Sequence, residues 1–388
     1  MTYASGVSLQ DSPLPRRPLL SQPVAATGLY ALVTIALLLA IFIPSADGYV
    51  GNDNDDVMRL VQVRDLLGGQ GWFDLMQYRL GLDGGTLMHW SRLVDLPIAL
   101  LVRAASLFLP QVEAEAVALV MCPLLLVPLL LYPIGFAAGR LAGPAAMHIA
   151  LGLTCLFAFT SARFHPGSID HHNVQMVLAA WVAGMLADPE RRSSSYAVAG
   201  VACAAAVAIG AETVPFVAAG SIVVALLWVW HGQRLARPAR AFGLALALAI
   251  TAAFFLTVPP RAYGVVTCDS LSLGFYSLLA SGGLLLAVAT FLPGAATRAT
   301  RIAIGGAIGA VLLLSAKAIA PECLGNPLAG LDPMLVKLWL NAVTEAQPAW
   351  QILVRDPHAL GGFYAVGLLA LAVCLFRAVR GEGLGGRL

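Results

Sequence analysis

Charge is what this chain has least of. Lysine, arginine, aspartate and glutamate make up 11% of its 388 residues, while 59% are hydrophobic. The 23 basic and 21 acidic side chains leave a net charge of +2, and the arginines are scattered instead of forming a stripe, so a nucleic-acid partner is excluded. Internal repeats, low-complexity tracts and a polar segment long enough for a soluble domain are also absent. Cysteine is sparse at six residues. Cys122, Cys155, Cys203 and Cys374 fall in apolar stretches and read as small packing residues, whereas Cys268 and Cys323 fall in outer connections, where an oxidising compartment would allow them to pair. A small-residue cleavage site is missing after the first apolar run, so residues 1–28, with Arg16 and Arg17, read as a cytoplasmic tail ahead of an uncleaved first span.

Apolar segments dominate what is there. Mean hydropathy is +0.82, and runs of roughly 17 to 22 residues match the length a helix needs to cross about 30 Å of hydrocarbon. The expected fold is an all-α polytopic membrane protein with about ten transmembrane helices, at 29–44, 116–137, 146–161, 174–187, 196–210, 214–230, 242–258, 271–292, 302–320 and 360–376. With the tail inside, alternate connections place Arg140, Arg191, Arg192, Arg234, Arg298 and Arg377 on the cytoplasmic side, in keeping with the positive-inside rule. The apolar stretch 96–110 carries Arg103, is short, and would invert every later loop if it crossed, so it is expected to lie in the interface. This organisation gives a transmembrane domain over 29–377, outer loops at 45–115, 162–173, 259–270 and 321–358, and a second cytoplasmic tail at 378–388.

Two polar clusters stand out against this background, Asn52 to Asp56 (NDNDD) and Asp170 to His172 (DHH), and the topology puts both on the non-cytoplasmic side. Asp55, Asp170 and His172 offer two carboxylates and one imidazole, a mixed donor set that suits Mn²⁺ or Mg²⁺ better than structural zinc. The plainer reading is that outer-loop acids are solvated or cap helices, and it is preferred for Asp53 and Asp56. Arg92 and Arg163 fit headgroup anchoring as well as phosphate binding. Glu212, at the outer end of a span, either lines a cavity or sits in water beside it.

Taken together these segments resemble the catalytic subunit of oligosaccharyltransferase, in the GT-C superfamily of membrane glycosyltransferases that use polyprenyl-phosphate-linked sugars. The resemblance rests on Asn54-Asp55 followed by Arg64-Asp65, on Gly167 to His172 (GSIDHH), on Met88 to Ser91 (MHWS), and more loosely on Asn341 to Pro348 (NAVTEAQP). It implies a GT-C-like bundle with a helical first outer loop, a divalent metal held by Asp55, Asp170 and His172, donor phosphates met by His89, Arg92 and His171, and Glu345 closing the site on the acceptor. Asp55 and Glu345 would be the catalytic pair, in an inverting transfer to a protein, lipid or polysaccharide acceptor at the outer face of a bacterial inner membrane. The family's W-W-D tripeptide, which reads the glycosylation sequon, does not occur in this sequence, and the expectation leans slightly to a transferase that modifies a lipid or polysaccharide. A transporter is the less favoured alternative, because its charged sites would sit at the bilayer midplane on broken helices in related halves.

Overall fold

The computed structural model describes residues 18–44, 51, 53–81, 84–292, 295, 297–325, 331–343, 347–360 and 364–380. It is predominantly helical. Its helices are α1 (Pro23–Phe42), α2 (Asn54–Leu67), α3 (Arg92–Ala105), α4 (Gln111–Ala142), α5 (Pro144–Thr160), α6 (His172–Leu186), α7 (Ser193–Ile209), α8 (Val214–His231), α9 (Gln233–Thr257), α10 (Leu273–Ala289), α11 (Arg298–Ile319), α12 (Pro333–Leu338), α13 (Ala349–Arg355), α14 (Pro357–Leu360) and α15 (Val366–Val379). One small hairpin interrupts them, in which Met76–Gln77 pairs antiparallel with Thr86–Leu87.

Each of the ten expected spans coincides with a helix, although the ends move. Proline at the first helical turn costs no hydrogen bond, so α1 starts at Pro23, inside the expected tail. Among the described residues, five segments are long and apolar enough to cross a bilayer: Pro23–Phe42, Gln111–Ala142, Ala211–His231, Gln233–Thr257 and Arg298–Ile319. Helices α5, α7 and α10 are apolar but only 17 residues each, at the short end of the spanning range. The chain is a multi-pass membrane protein.

Close backbone approach holds the bundle centre together. A Cβ on Gly200 of α7 would lie 2.5 Å from the Phe242 carbonyl oxygen of α9, and one on Gly184 of α6 would lie 2.5 Å from that of Pro133 in α4. Gly243 of α9 and Gly283 of α10 each face the other's carbonyl oxygen, with no room for a side chain on either. Hydrocarbon gives apolar helices no hydrophobic reason to associate, so such small-residue crossings supply the packing instead. Around them the core is built from buried small and branched residues of α7 and α9, including Ala199, Ala202, Cys203, Ala206, Leu246 and Ile250.

Side-chain contacts sort the helix ends into two groups. At one end Arg140 pairs with Glu190, Arg191 lies 3.3 Å from His231, Arg240 donates to Thr290 and Arg301 donates to the Val229 carbonyl. The opposite end carries α2 and α3, which are docked onto the first turns of α4 through Arg64–Glu115 at 2.6 Å. Helix α3 is amphipathic, burying Val94, Ile98, Ala99 and Val102 while Leu96 and Leu100 stay exposed. Cys268 and Cys323 form a disulfide at this second end, with Cα atoms 5.2 Å apart, joining the entry to α10 with the exit from α11.

Candidate functional site

Two helix starts meet at the second end of the bundle. Asp53 caps α2 by accepting from the Asp55 amide and pairs with Arg163 at 3.0 Å. One turn on, Asp56 is 3% exposed, and its Oδ1 accepts the backbone amides of Ile169 at 2.7 Å and Asp170 at 2.9 Å. The expectation that Asp56 is a solvated outer-loop acid is therefore wrong. It clamps the DHH segment to α2. Backbone bonds from Gly51 to Gly167 and from Gly167 to Leu119 brace the same junction. Gly167 sits at φ +95°, where a side chain is strained, and a Cβ on Gly51 would run into the Asp56 carboxylate.

A buried polar network spreads from this clamp. Asp170, 3% exposed, receives the His171 Nδ1 proton at 2.6 Å, and His171 Nε2 lies 2.8 Å from Glu212 Oε1. Gln175 donates to the same Glu212 oxygen at 2.7 Å. Arg59, fully buried, reaches Asp95 at 3.0 Å and Asp170 at 3.5 Å while lying 4.4 Å over the Trp90 ring. Trp90 in turn lies 5.9 Å from His171. Burial alone would neutralise His171, but hydrogen bonds to Asp170 and Glu212 outweigh it and raise the imidazole to about 9. Burial pulls Asp170 the other way, yet the His171 hydrogen bond with the His171, His172 and Arg59 charges holds it well below the usual carboxylate range. Each shift favours the charged form of its group.

One atom in this network stands out. Asp170 Oδ2 is buried with no hydrogen-bond partner, and the His172 Nε2 atom lies 3.4 Å from it. Asp170, His171 and His172 each offer a ligand atom within 4.8 Å of one another. His171 already uses both ring nitrogens on carboxylates, which leaves the buried Asp170 Oδ2 and the His172 Nε2 beside it as the remaining ligand atoms. Asp55 is half-buried and lies outside that close group, near enough to feel its charge; burial raises its carboxyl, and the Asp170 and Asp53 charges push in the same direction.

The remaining expected residues are spread more widely. His89 is exposed and edge-on to Trp90, with ring centroids 6.1 Å apart. Arg92 is 1% exposed, lies on the wall of the adjoining cavity and donates to the Gln62 carbonyl, Asp95, Gln70 and the Asp74 carbonyl, so it stitches the outer segment together. Arg163 pairs with Asp53. Glu345 lies outside the described residues. A cavity of about 180 Å³ adjoins the network, lined mainly by apolar groups with His89, Trp90, Arg261, Thr267 and Ser272 among them.

Asp56, Arg59 and Asp95 were missed from sequence, and a signal for the first two exists. Asp56, Arg59, Leu60 and Val63 fall at helical spacing on one buried face of α2, so two ionisable groups share a stripe with apolar residues. Buried charges on such a stripe need partners. Asp95 has the same character on α3, beside Val94 and Ile98.

Comparison with known proteins agrees with this architecture. No protein-family model matches the sequence, and no curated protein matches it either. Among solved structures, the oligosaccharyltransferase AglB of the archaeon Archaeoglobus fulgidus, in complex with an inhibitory peptide and a dolichol-phosphate, superimposes with a TM-score of 0.62 at 15% identity, over 94% of this chain and 45% of that one. The A. fulgidus oligosaccharyltransferase in complex with zinc and sulfate gives 0.54 at 16% identity, over 92% and 43%, and the apo form gives 0.53 at 16%, over 84% and 39%. The chain spans less than half the length of these structures. What is shared is the fold of that part of these oligosaccharyltransferases.

Proposed function

We propose, on the premise of that fold, that this protein is a glycosyltransferase that moves a sugar or oligosaccharide from a polyprenyl-phosphate-linked donor to an acceptor at the outer face of the membrane. The observation that carries the proposal is the buried, unpartnered Asp170 Oδ2 next to His172 Nε2, within electrostatic reach of Asp55, at the loop end of the bundle and not at its midplane. A transporter would place its charges on broken helices at mid-depth. The disulfide at the same end supports an oxidising, non-cytoplasmic side, as in a bacterial periplasm.

The donor set fits a divalent cation. An unpartnered buried carboxylate oxygen next to an imidazole nitrogen, with a second carboxylate within electrostatic reach, is a hard, mixed site for Mn²⁺ or Mg²⁺, held by Asp170 and His172 with Asp55. Bound there, the ion would supply charge neutralisation for a departing phosphate or would orient the acceptor. Two of the fold neighbours hold, respectively, dolichol-phosphate with peptide and zinc with sulfate, which is consistent with a lipid-linked donor, an acceptor chain and a metal in this chain's own site.

The residues around the site have separable tasks. Asp55 receives the acceptor's proton or orients its nucleophile, helped by a carboxyl already raised by burial and by Asp170. His171, kept protonated between Asp170 and Glu212, holds Asp170 in one rotamer and contributes fixed positive charge to the site. His89 and Arg261 on the adjoining cavity, with the largely buried Arg92 in its wall, are the cationic or imidazole groups that would meet a donor phosphate. The part given to Glu345, closing on the acceptor, stays with the family resemblance.

Transfer from a lipid-linked donor in reconstituted membranes tests this reading. Asp55→Ala and Asp170→Ala should each lower transfer by about 10²-fold or more, the scale of losing a group that stabilises developing charge. Full activity in both variants would sink the proposed site. Binding of Mn²⁺ followed by electron paramagnetic resonance gives an independent readout, in which Asp170→Asn should release the ion into its free aquo spectrum.

A further inference from the structure

A second charged site lies at the opposite end of the bundle. Helix α7 is 17 residues long, so its first turn stands about 25 Å from the polar network at its other end. There the first turns of α7 and α9 wall a cavity of about 410 Å³, lined by Arg191, Arg192, Arg234, Arg237 and Arg240 with Gln233. We propose that this cavity is a binding site for a phosphate group, supplied by an anionic membrane lipid or by a soluble phosphate.

Charge makes the first argument. Asp188 and Glu190 both pair with Arg192 of the cavity's wall. Asp188 also accepts from Ser195 and from the Glu190 amide, and Glu190 is shared with Arg140. Arg192 Nη2 is nonetheless buried without a hydrogen-bond partner. Arg234 and Arg237 are exposed on successive positions of one α9 face, and with Arg191, Arg192 and Arg240 they line a cavity with room for a phosphate group, although the Arg192 guanidinium is turned to Asp188 and that of Arg240 to Thr290. Guanidinium forks match phosphate oxygens in pairs, and like charges held this close repel unless an anion lies between them.

Backbone geometry makes the second. Neither α7 nor α9 has a side-chain cap on its first turn, so both present free amide dipoles at the same wall. Arg191 holds φ at +49°, the only non-glycine residue with positive φ among the described residues, and that turn brings its guanidinium to 3.3 Å from His231. A strained backbone at a ligand wall is retained when the wall has a use.

Surroundings make the third. Trp230 and Phe291 are 61% and 63% exposed next to the cavity, with Arg298 lying 4.0 Å over the first ring and Arg240 lying 3.4 Å over the second. Exposed aromatics of this kind mark the headgroup level of a bilayer, and basic pockets between helices at that level bind anionic headgroups.

The test uses the full chain in zwitterionic detergent, with phosphatidylglycerol, inorganic phosphate and, as the neutral control, phosphatidylcholine as probes. Native mass spectrometry and thermal unfolding should show phosphatidylglycerol or phosphate bound, at a level phosphatidylcholine does not reach. The double variant Arg234→Gln/Arg237→Gln should weaken that binding at least tenfold with its ligand-free melting temperature unchanged, while Arg377→Gln, on exposed α15, should leave it as it was. Should the double variant misfold, Arg234→Gln alone is read the same way. Competition by millimolar inorganic phosphate assigns the site to free phosphate, and resistance to it assigns the site to the lipid headgroup. No preference for either anion over phosphatidylcholine, or an equal loss in Arg377→Gln, overturns the proposal.

Discussion

Asp56 accepts two amides of a segment more than a hundred residues away, and Arg59 answers two buried carboxylates one turn later on the same helix. Replacing Asp56 with alanine leaves both amides unpaired in a buried place, which costs about 1–3 kcal/mol for each group. The expected result is a melting temperature lowered by several degrees together with loss of transfer, measured on the purified variant; an unchanged melting curve would remove the clamp from the account. Arg59→Met leaves Asp95 and Asp170 buried without their cation and should destabilise by about 3–5 kcal/mol, while Arg59→Lys should recover part of that by restoring the charge without the fork. Chemical denaturation of the three proteins distinguishes these outcomes. At this scale the sequence was only half legible. Asp170 and His172 stand out because they are adjacent and polar in a greasy chain, whereas the difference between Asp55 and Asp56 depends on which face of α2 turns inward. That face is set by the docking of α2 onto α3, and no residue type announces it. Arg92 shows the same limit, since an arginine beside an expected phosphate site is indistinguishable in sequence from one that ties a loop to itself.

Secondary-structure elements were the most legible part, because length and hydropathy are what a bilayer selects. All ten expected spans fall on helices, and the stretch 96–110, expected to lie in the interface, is covered as far as Ala105 by the amphipathic α3. The crossings were not legible, because Gly243 and Gly283 are two of 38 glycines and nothing local marks them as the pair that touches. Gly243→Ala places a methyl against a carbonyl oxygen of α10 and should destabilise by about 1–3 kcal/mol through overpacking; Gly306→Ala, with open space around it, should not. Thermal unfolding of the two variants side by side gives the comparison. Between α6 and α7, Asp188 is opposed by burial, but its hydrogen bonds to Arg192 and Ser195 hold its carboxyl below the usual range. A depressed carboxylate stabilises the folded state above its unfolded pKa of about 4 and loses that contribution as pH falls through the folded value. Wild type should therefore start with the higher melting temperature at pH 5 and lose more of it by pH 3, whereas that of Asp188→Asn should start lower and change less over the same range.

On the scale of the whole molecule the two ends divide the chemistry. Carboxylates and imidazoles gather where α2, α6 and the start of α8 meet, and arginines gather where α7 and α9 begin. Arginine spacing along the chain already implied this division, since alternate loops carry the positive charge. The cavity those arginines form was not implied, because it needs α7 and α9 side by side. The Cys268–Cys323 bridge closes a stretch 55 residues apart in sequence around α10 and α11. Its removal in a Cys268→Ser/Cys323→Ser variant should lower stability by about 2–4 kcal/mol, and adding reductant should bring wild type to the same melting temperature while leaving the variant unmoved.

The Asp56 clamp also orders events in time. Its two amide partners lie 113 and 114 residues further along, so a nascent chain carries Asp56 into the translocation machinery long before they are made. Until then α2 holds an acidic face with nothing to receive it. The chemistry at Asp170 thus comes into being in one step, when the fifth helix has been inserted and the loop behind it arrives, and a ribosome halted before that point displays a protein with its membrane anchor in place and its site unmade.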